Sequence, residues 1–459
     1  MNSGYQLAPP PVSASAQGLG RLGFGFGRRF FLLLGLGLAW AIPAFWVRQF
    51  LYGIAVWDGV LLVAWAIDLA RLPRPRQITV ERSWASAPGL GCGTQVKLTI
   101  HNAASVTIQS RLQDKFPRAW ETNAEALRCT VPANGASEVT YTLRPRERGD
   151  HVVGPVYLRT QSALQMAERW YAAQAVQSVR VYPNLEAAKR NTIYLTRSRQ
   201  IELEKRRLRM RGLGREFESL REYQDGDEVR DICWSATARR GKLVTKVFSI
   251  ERSQAVWIVM DTGRLLRARV GDLSKLDYAA DAALCLAQLA LYSGDRVGIL
   301  AYGRQIKQRV GLGRGPAHMR QILDQLAMIQ TETPEADHLR AAGSLLNLQK
   351  RRSLVVWLTD LAETAMTPEV IQSASEIQGR NLVVFVAIGE PQLGSKASAR
   401  PAAPLEMYET IAAQELVQRR EILLARLREQ GALAMEVLPG RLSAAVLNQY
   451  LHVKERSLL

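Results

Sequence analysis

The stretch Gly212-Leu-Gly-Arg-Glu216-Phe217-Glu-Ser-Leu220-Arg221-Glu-Tyr223-Gln-Asp-Gly226-Asp227-Glu-Val-Arg230-Asp-Ile232-Cys233-Trp234-Ser-Ala-Thr-Ala-Arg239 divides the chain into two unlike halves. It contains no nucleophile–base pair, no metal-ligand spacing and no phosphate loop. Gly212 and Gly214 permit backbone turns closed to other residues. Phe217, Leu220 and Tyr223 are spaced as one apolar face, and Gly226-Asp227 reads as a turn. Arg221, Arg230 and Arg239 alternate with Glu216, Asp227 and Asp231, and Trp234 is expected to anchor the element by burial. Such a charge-paired, aromatic-capped segment serves either as a clamp between domains or as a partner-binding surface made by Glu216, Phe217, Arg221, Tyr223, Asp227, Arg230 and Trp234.

The same residues closely resemble the signature of the bacterial domain of unknown function 58 family, which reads roughly G-x-E-F-x-x-L-R-x-Y-x-x-G-D-x-x-R-x-I-x-W. That pattern commonly carries Asp and Lys beside the Trp, where this chain has Cys233 and Ser235. The resemblance implies a membrane-anchored scaffold or adaptor with a von Willebrand factor A-like domain. It further implies a MoxR-type AAA+ ATPase as partner.

Upstream, two apolar runs cover Phe30–Trp46 and Phe50–Ile67, the second interrupted by Asp58. Each is within the range tolerated for a spanning helix. Arg21, Arg28 and Arg29 precede the pair, Arg71, Arg74 and Arg76 follow it, and Arg48 alone lies between. The positive-inside rule then puts both ends in the cytoplasm of a bacterial inner membrane, with a transmembrane helical hairpin over 28–70. A cleaved signal peptide is disfavoured because no small-residue cleavage site follows and a second apolar run does. A buried soluble hairpin is the weaker alternative. Asp58 either marks an intramembrane site or bonds to the partner helix. Residues 1–27, rich in Pro, Ser, Ala and Gly toward the start, read as a disordered tail.

From 77 to 184 the periodicity is two. Val96-Leu98-Ile100, Val139-Tyr141-Leu143, Val156-Leu158 and Val179-Val181 alternate, with turn residues between them. About seven short strands point to a β-sandwich of immunoglobulin-like type. Arg148-Gly149-Asp150 is a plain turn. Residues 185–250 combine a basic linker, dense in arginine from Arg197 to Arg215, with the signature. The linker suits anionic lipid or nucleic acid. Its juxtamembrane place favours lipid, and it lacks the interleaved aromatics of a single-strand binder.

From 251 to 392 strands alternate with helices. Ala255–Met260, Val297–Tyr302, Ser353–Leu358 and Leu382–Ile388 are strands, Gln305–Val310 makes a hairpin with the second of them around Gly303, and helical spacing marks segments between them. This is a doubly wound α/β pattern with one antiparallel edge. It looks like a von Willebrand factor A domain, whose metal site uses D-x-S-x-S plus a later Thr and Asp. Here the motif is degenerate, Asp261-Thr262-Gly263-Arg264-Leu265, and Ala336-Asp337 stands at the later pair. Asp261, Thr262 and Asp360 alone make a poor shell for a hard cation, so neither a metal nor any other cofactor is expected. Arg264 is a candidate to pair with one of the aspartates. Gly311-Leu-Gly313-Arg-Gly315 reads as a loop and Gly394–Pro404 as a linker. Residues 405–459 read as a helical C-terminal extension with a short strand near Ala434.

The chain has 459 residues and a net charge of +18. That length calls for several cores, and the charge suits an anionic surface. Cys92, Cys129, Cys233 and Cys285 are scattered, as reduced cytosolic thiols would be. The multidomain expectation is therefore a membrane-anchored, non-enzymatic interaction protein contacting lipid, an AAA+ ATPase and other envelope proteins. The alternatives are a nucleic-acid or anionic-lipid binder using the basic linker, or a hydrolase using Asp261 and Asp360, for which no Ser-His-Asp or Cys-His set is readable.

Overall fold

The computed structural model describes residues 7–19, 23–47, 49–123, 127–162, 164–184, 216–224, 227, 229–249, 254–361 and 368–456. The basic linker, the glycines of the signature's start and Gly226 lie outside these. The chain forms two compact units, Met1–Tyr182 and Pro183–Leu459.

The first unit is mostly β. Its strands are β1 (Val12–Gly18), β2 (Phe24–Phe26), β3 (Ile78–Trp84), β4 (Thr94–Asn102), β5 (Ile108–Asp114), β6 (Glu121–Thr122), β7 (Leu127–Val131), β8 (Gly135–Arg144), β9 (Gly149–Val153), β10 (Val156–Gln161), β11 (Ala167–Ala173) and β12 (Gln177–Val181). Residues 12–18 were expected to be tail. Instead they form the strand that joins the unit together. Val12–Ser15 pair antiparallel with β3, and Ala16–Gly18 pair antiparallel with β11. The sheet therefore runs without a break in the order β6-β8-β4-β3-β1-β11-β10-β5-β7, with β2 also on β11 and a separate β12–β9 pair. Two detached sheets would leave β3 and β11 as bare edges, and β1 covers both. Alternation along β3, β4 and β5 puts Ile78, Val80, Val96, Leu98, Ile100, Ile108 and Leu112 inside.

Arg82 also points into this interior and is fully buried. Its guanidinium grips both carboxylate oxygens of Asp114, one of them at 3.0 Å from Nε, and donates to the carbonyls of Ala175 (2.6 Å) and Gly154 (2.8 Å). Tyr141 donates its hydroxyl to the same carboxylate.

The apolar runs fold as α1 (Arg28–Gly37), α2 (Ala41–Ala44) and α3 (Phe50–Arg71). Among the described residues one helix, Tyr52–Gln77, is long and apolar enough to cross a membrane. The first run, expected as a second spanning helix, is divided. α1 has 10 residues, about 15 Å of helix, and a 3-10 turn at Leu38–Trp40 separates it from α2, which contains Pro43. α1 packs along α3, where Trp57 Nε1 donates to the Leu33 carbonyl at 3.0 Å.

The second unit opens with the antiparallel pair β13 (Glu216–Glu222) and β14 (Val244–Ser249), which bracket α4 (Trp234–Arg240). Its core sheet contains β15 (Ala255–Asp261), β18 (Arg296–Tyr302), β19 (Ile306–Gly313), β20 (Leu354–Thr359), β21 (Leu382–Ile388) and β22 (Leu433–Val437); a small hairpin, β16 (Arg269–Val270) and β17 (Leu273–Ser274), lies apart. The order is β19-β18-β15-β20-β21-β22, parallel throughout except for β19 at the edge. The helices are α5 (Lys275–Tyr292), α6 (Gly315–Met328), α7 (His338–Leu348), α8 (Pro368–Gln378), α9 (Pro391–Ala397), α10 (Pro404–Glu429) and α11 (Leu442–Glu455). α6 and α11 pack on α5, while α7, α8 and α10 cover Trp257, Trp357 and Phe385. Buried on both faces, the strands read as continuous apolar runs.

Three expectations change here. The segment 405–459 is no extension, since β22 is the sixth strand of the sheet and α10 seals one face of it. The expected linker Gly394–Pro404 holds the end of α9 and the start of α10, and Pro391 and Pro404 each sit at the first position of a helix. Gly311 and Gly313 belong to β19, and Gly315 begins α6, so that glycine cluster is not a free loop.

Removing the guanidinium by Arg82→Met strands Asp114 and two carbonyls in the interior. Breaking a buried pair in this way costs about 3–5 kcal/mol. Scanning calorimetry of the detergent-solubilised chain should show the first unit's transition lowered and the second unit's unchanged.

Candidate functional site

The carboxyl ends of β15 and β20 lie side by side because the two strands pair in parallel, Met260 opposite Leu358. This brings Asp261, Thr262 and Asp360 together as the sequence suggested, all three buried. What surrounds them was not foreseen. Asp360 receives Lys275 Nζ on one oxygen at 2.7 Å and Arg420 Nη2 on the other at 3.0 Å. Lys275 also meets Glu390 at 2.8 Å, and Arg420 Nη1 meets Glu436 at 2.5 Å. Both cationic side chains are as buried as the carboxylate between them.

Each element supplies its charge by position. Lys275 is the first residue of α5, whose N-cap Ser274 accepts from the backbone of Asp277 while Asp277 returns to the Ser274 amide. A cation at a helix N-terminus opposes the macrodipole, and Asp360 and Glu390 offset that cost. Arg420 lies on the face of α10 that buries Ala413, Leu424 and Leu427. Glu390 follows β21, and Glu436 lies in β22.

Asp261 is satisfied differently. Thr359 donates its hydroxyl to Oδ2 at 2.7 Å, and the Gly263 amide donates to Oδ1 at 2.6 Å. Burial pushes its carboxyl above the usual carboxylate range, against the pull of His338 and these two donors. Thr262 turns its hydroxyl onto the Tyr302 carbonyl at 3.0 Å. Behind it, Trp357 Nε1 donates to the Tyr302 hydroxyl at 2.6 Å, which lies 2.8 Å from His338 Nδ1. Burial, then the charge of Asp261, holds the Tyr302 phenol well above its ordinary range.

These residues do not fit a bound cation. The oxygens of Asp360 already face an ammonium and a guanidinium, the Thr262 hydroxyl is turned to backbone, and among the described residues no group of three or more His, Cys, Asp or Glu is placed to hold a metal. The positive charge that a divalent ion would bring is supplied by two side chains. Arg264, expected to pair with an aspartate here, instead meets Glu335 at 2.8 Å on the surface. Asp337 caps α7 through the Arg340 amide.

The signature forms a second constellation. Its apolar spacing suggested one face of a helix or loop, yet Glu216 and Phe217 lie in strand β13, with a register shift between Phe217 and Ser219. Arg221 Nη2 bonds Asp227 Oδ1 at 2.6 Å, and Asp227 Oδ2 accepts from the Gln224 amide at 3.0 Å. The Gln224 amide first, and then Arg221, hold the Asp227 carboxyl below its ordinary range. Tyr223 donates its hydroxyl to the Asp227 carbonyl at 3.2 Å. Arg221, Tyr223 and Asp227 thus form one turn lock, closed on β14 by Tyr223 N to Leu243 O and Cys233 N to Val244 O. Ile232 and Val244 fill its interior. Trp234 does not. It begins α4 with 65% of its surface exposed, and Arg230 is exposed as well. Val229 (66%), Leu243 (45%) and Leu220 (36%) are exposed on the same module. Burial as the anchoring role of Trp234 is therefore corrected to exposure, because Ile232, two residues earlier, takes the inward place.

Residues 219–394 match the protein family described as "Protein of unknown function DUF58". Uncharacterized proteins of Mycobacterium bovis and Mycobacterium tuberculosis are 28% identical over 151 residues, 32% of this chain and 48% of theirs. The chain spans about half the length of these curated relatives. Among solved structures, BatB from Bacteroides thetaiotaomicron is similar at a TM-score of 0.30 with 13% identity, over 44% of this chain and 100% of that one. The ASH/PapD-like domain of human CEP192 is similar at 0.16 with 14% identity, over 22% of this chain and 81% of that one.

Lys275→Met leaves Asp360 and Glu390 short of a cation in a buried site, and should destabilise the second unit by about 3–5 kcal/mol in denaturant unfolding. The double variant with Asp360→Asn should recover part of that loss, since the stranded charge is gone. Asp261→Asn should behave in the opposite sense. A carboxyl whose folded pKa is raised favours folding only as pH falls toward its unfolded value. Above that window the charge is a cost, so the amide variant should be at least as stable as the parent at neutral pH, with a flatter stability–pH curve.

Proposed function

We propose that this chain is a membrane-anchored, non-enzymatic adaptor whose exposed signature module docks a MoxR-type AAA+ ATPase during assembly or remodelling of envelope proteins. The α/β unit is in this reading a von Willebrand factor A-like domain in which Lys275 and Arg420 stand where such domains bind a cation. The observation that carries the docking role is the exposure of Trp234, Val229 and Leu243 on a module stiffened by the Arg221–Asp227 bridge. An exposed tryptophan on a module that also carries exposed arginine has the composition of an interface hot spot. The non-enzymatic part of the reading is supported by the use of Asp360 in internal ion pairs and of Asp261 in donor bonds to Thr359 and Gly263.

The anchor in this reading is α3 together with the first apolar run, crossing the bacterial inner membrane twice. Arg28 and Arg29 before the pair and Arg71, Arg74 and Arg76 after it support a cytoplasmic side for both soluble units, where an ATPase is reachable. The immunoglobulin-like character expected of the β unit belongs to the same reading. The basic linker adds attraction to anionic lipid rather than nucleic acid.

Affinity capture of the solubilised chain from its host, with and without ATP, tests this directly. An AAA+ ATPase should co-purify in a nucleotide-sensitive manner. Trp234→Ala should lower its apparent affinity by roughly 30-fold, the measure of a 2 kcal/mol hot spot, while thermal unfolding stays unchanged. Capture of envelope proteins without an ATPase, or binding indifferent to Trp234→Ala, refutes the proposal.

A further inference from the structure

The turn between β10 and β11, described at residues 162 and 164–166, meets α3 at that helix's charged end. Asp68 is buried near the end of α3, and its Oδ2 accepts from the Ser162 hydroxyl and from the amides of Met166 (3.2 Å) and Ala167 (3.1 Å). Arg169 donates to the carbonyls of Leu69 (3.3 Å), Leu72 (3.1 Å) and Pro73 (2.8 Å), and the Tyr171 hydroxyl donates to Pro73 at 2.7 Å. The last carbonyls of the helix are thus capped by the β unit. Beyond this latch, Met166 clusters with Phe30 and Leu61, with Trp65 packed against them. Leu61 precedes Asp68 by seven residues, about 10 Å of helix. The other side of the turn is sewn to the chain entering α1. Gly27 donates to the Met166 carbonyl at 2.7 Å, and a Cβ on Gly27 would stand 2.1 Å from the Gln165 carbonyl oxygen.

Around this turn Leu164, Phe26 and Trp170 are exposed. Arg28, Arg29, Arg71 and Arg74 are exposed at the ends of the helices that it clasps. An exposed apolar turn residue accompanied by exposed aromatic and arginine side chains has the composition of the headgroup boundary. We infer that the β10–β11 turn is a membrane foot, with Leu164 seated in the acyl–headgroup boundary of an anionic bilayer, Phe26 and Trp170 at headgroup level, and the arginines on lipid phosphate. The occupant is lipid rather than protein because the surface is continuous with α3, whose apolar length runs past it. Asp68 and Arg169 make the contact rigid, so the β unit is held in one orientation on the surface. This rests on the reading of α3 as a spanning helix.

The unmodified full chain is placed in nanodiscs containing anionic phospholipid and a photoactivatable phospholipid reactive just below its headgroup, and lipid adducts are mapped by mass spectrometry. Adducts are expected in the tryptic segment 160–169, centred on Leu164, and in the segment holding Phe26, together with adducts in α3. Val152 is an internal control. It is exposed in β9, which precedes β10, whereas the turn follows β10, a strand spanning roughly 17 Å. It should carry no adducts. Adducts in α3 with none in 160–169 overturn the foot while leaving the anchor standing. Absence of adducts from α3 as well overturns the spanning reading on which the foot rests. Leu164→Glu should abolish the adducts in 160–169 and leave those in α3. If instead it leaves both unchanged, Leu164 is not at the boundary and the inference fails.

Discussion

A carboxylate buried at the end of a parallel sheet must find positive charge or lose its own. In the second unit this requirement falls on Asp360, and Lys275 and Arg420 meet it from opposite layers of the domain. The consequence is topological. Lys275 brings the start of α5 to the sheet, Arg420 brings α10, and their remaining valence draws in Glu390 after β21 and Glu436 in β22. Elements separated by more than a hundred residues of sequence are therefore fixed around one point. An exposed pair would contribute little to this. A buried set can hold the arrangement because removing any one member strands another.

The same set decides what the sheet end can do. A metal site needs oxygen ligands free to converge on a vacancy, whereas here the donors converge on the oxygens. Asp261 is held between Thr359 and the Gly263 amide, with its charged form disfavoured by burial. The ion pairs around Asp360 thus tie the sheet end to the helices that cover it. On the signature module, by contrast, Trp234 is exposed at the cost of apolar hydration.

Local pattern carried much of the α/β unit. The runs at Ala255, Val297, Ser353 and Leu382 became β15, β18, β20 and β21, because strands buried on both faces must be apolar throughout. Asp261 and Asp360 were legible as neighbours for the same reason, each ending such a run. Lys275 and Arg420 were not legible, since their partners lie far off in sequence. The one hint was an arginine on the stripe of α10 that also carries Ala413, Leu424 and Leu427. Trp234 was misplaced because hydrophobicity alone does not say which of two nearby apolar residues turns inward, and Ile232 did. Arg221, Tyr223 and Asp227 were read together and are together, but as a hairpin turn lock.

The places of the two terminal strands were missed for a shared reason. Val12–Gly18 was expected as tail, and the short strand near Ala434, present as Leu433–Val437, as part of an extension. Each finds its place at a distant edge, β3 and β11 in one case and β21 in the other. Strand propensity measures fit to a neighbour more than a preference of the backbone. The partner of such a strand is not written in its own window. In the first unit this has a mechanical result. β1 ties the two halves of the sheet path, while Asp68 and Arg169 tie β11 and its turn to α3. A force on the helix end passes through hydrogen bonds directly into the sheet, with no flexible linker between them. The orientation of α3 on this unit is accordingly a property of its fold.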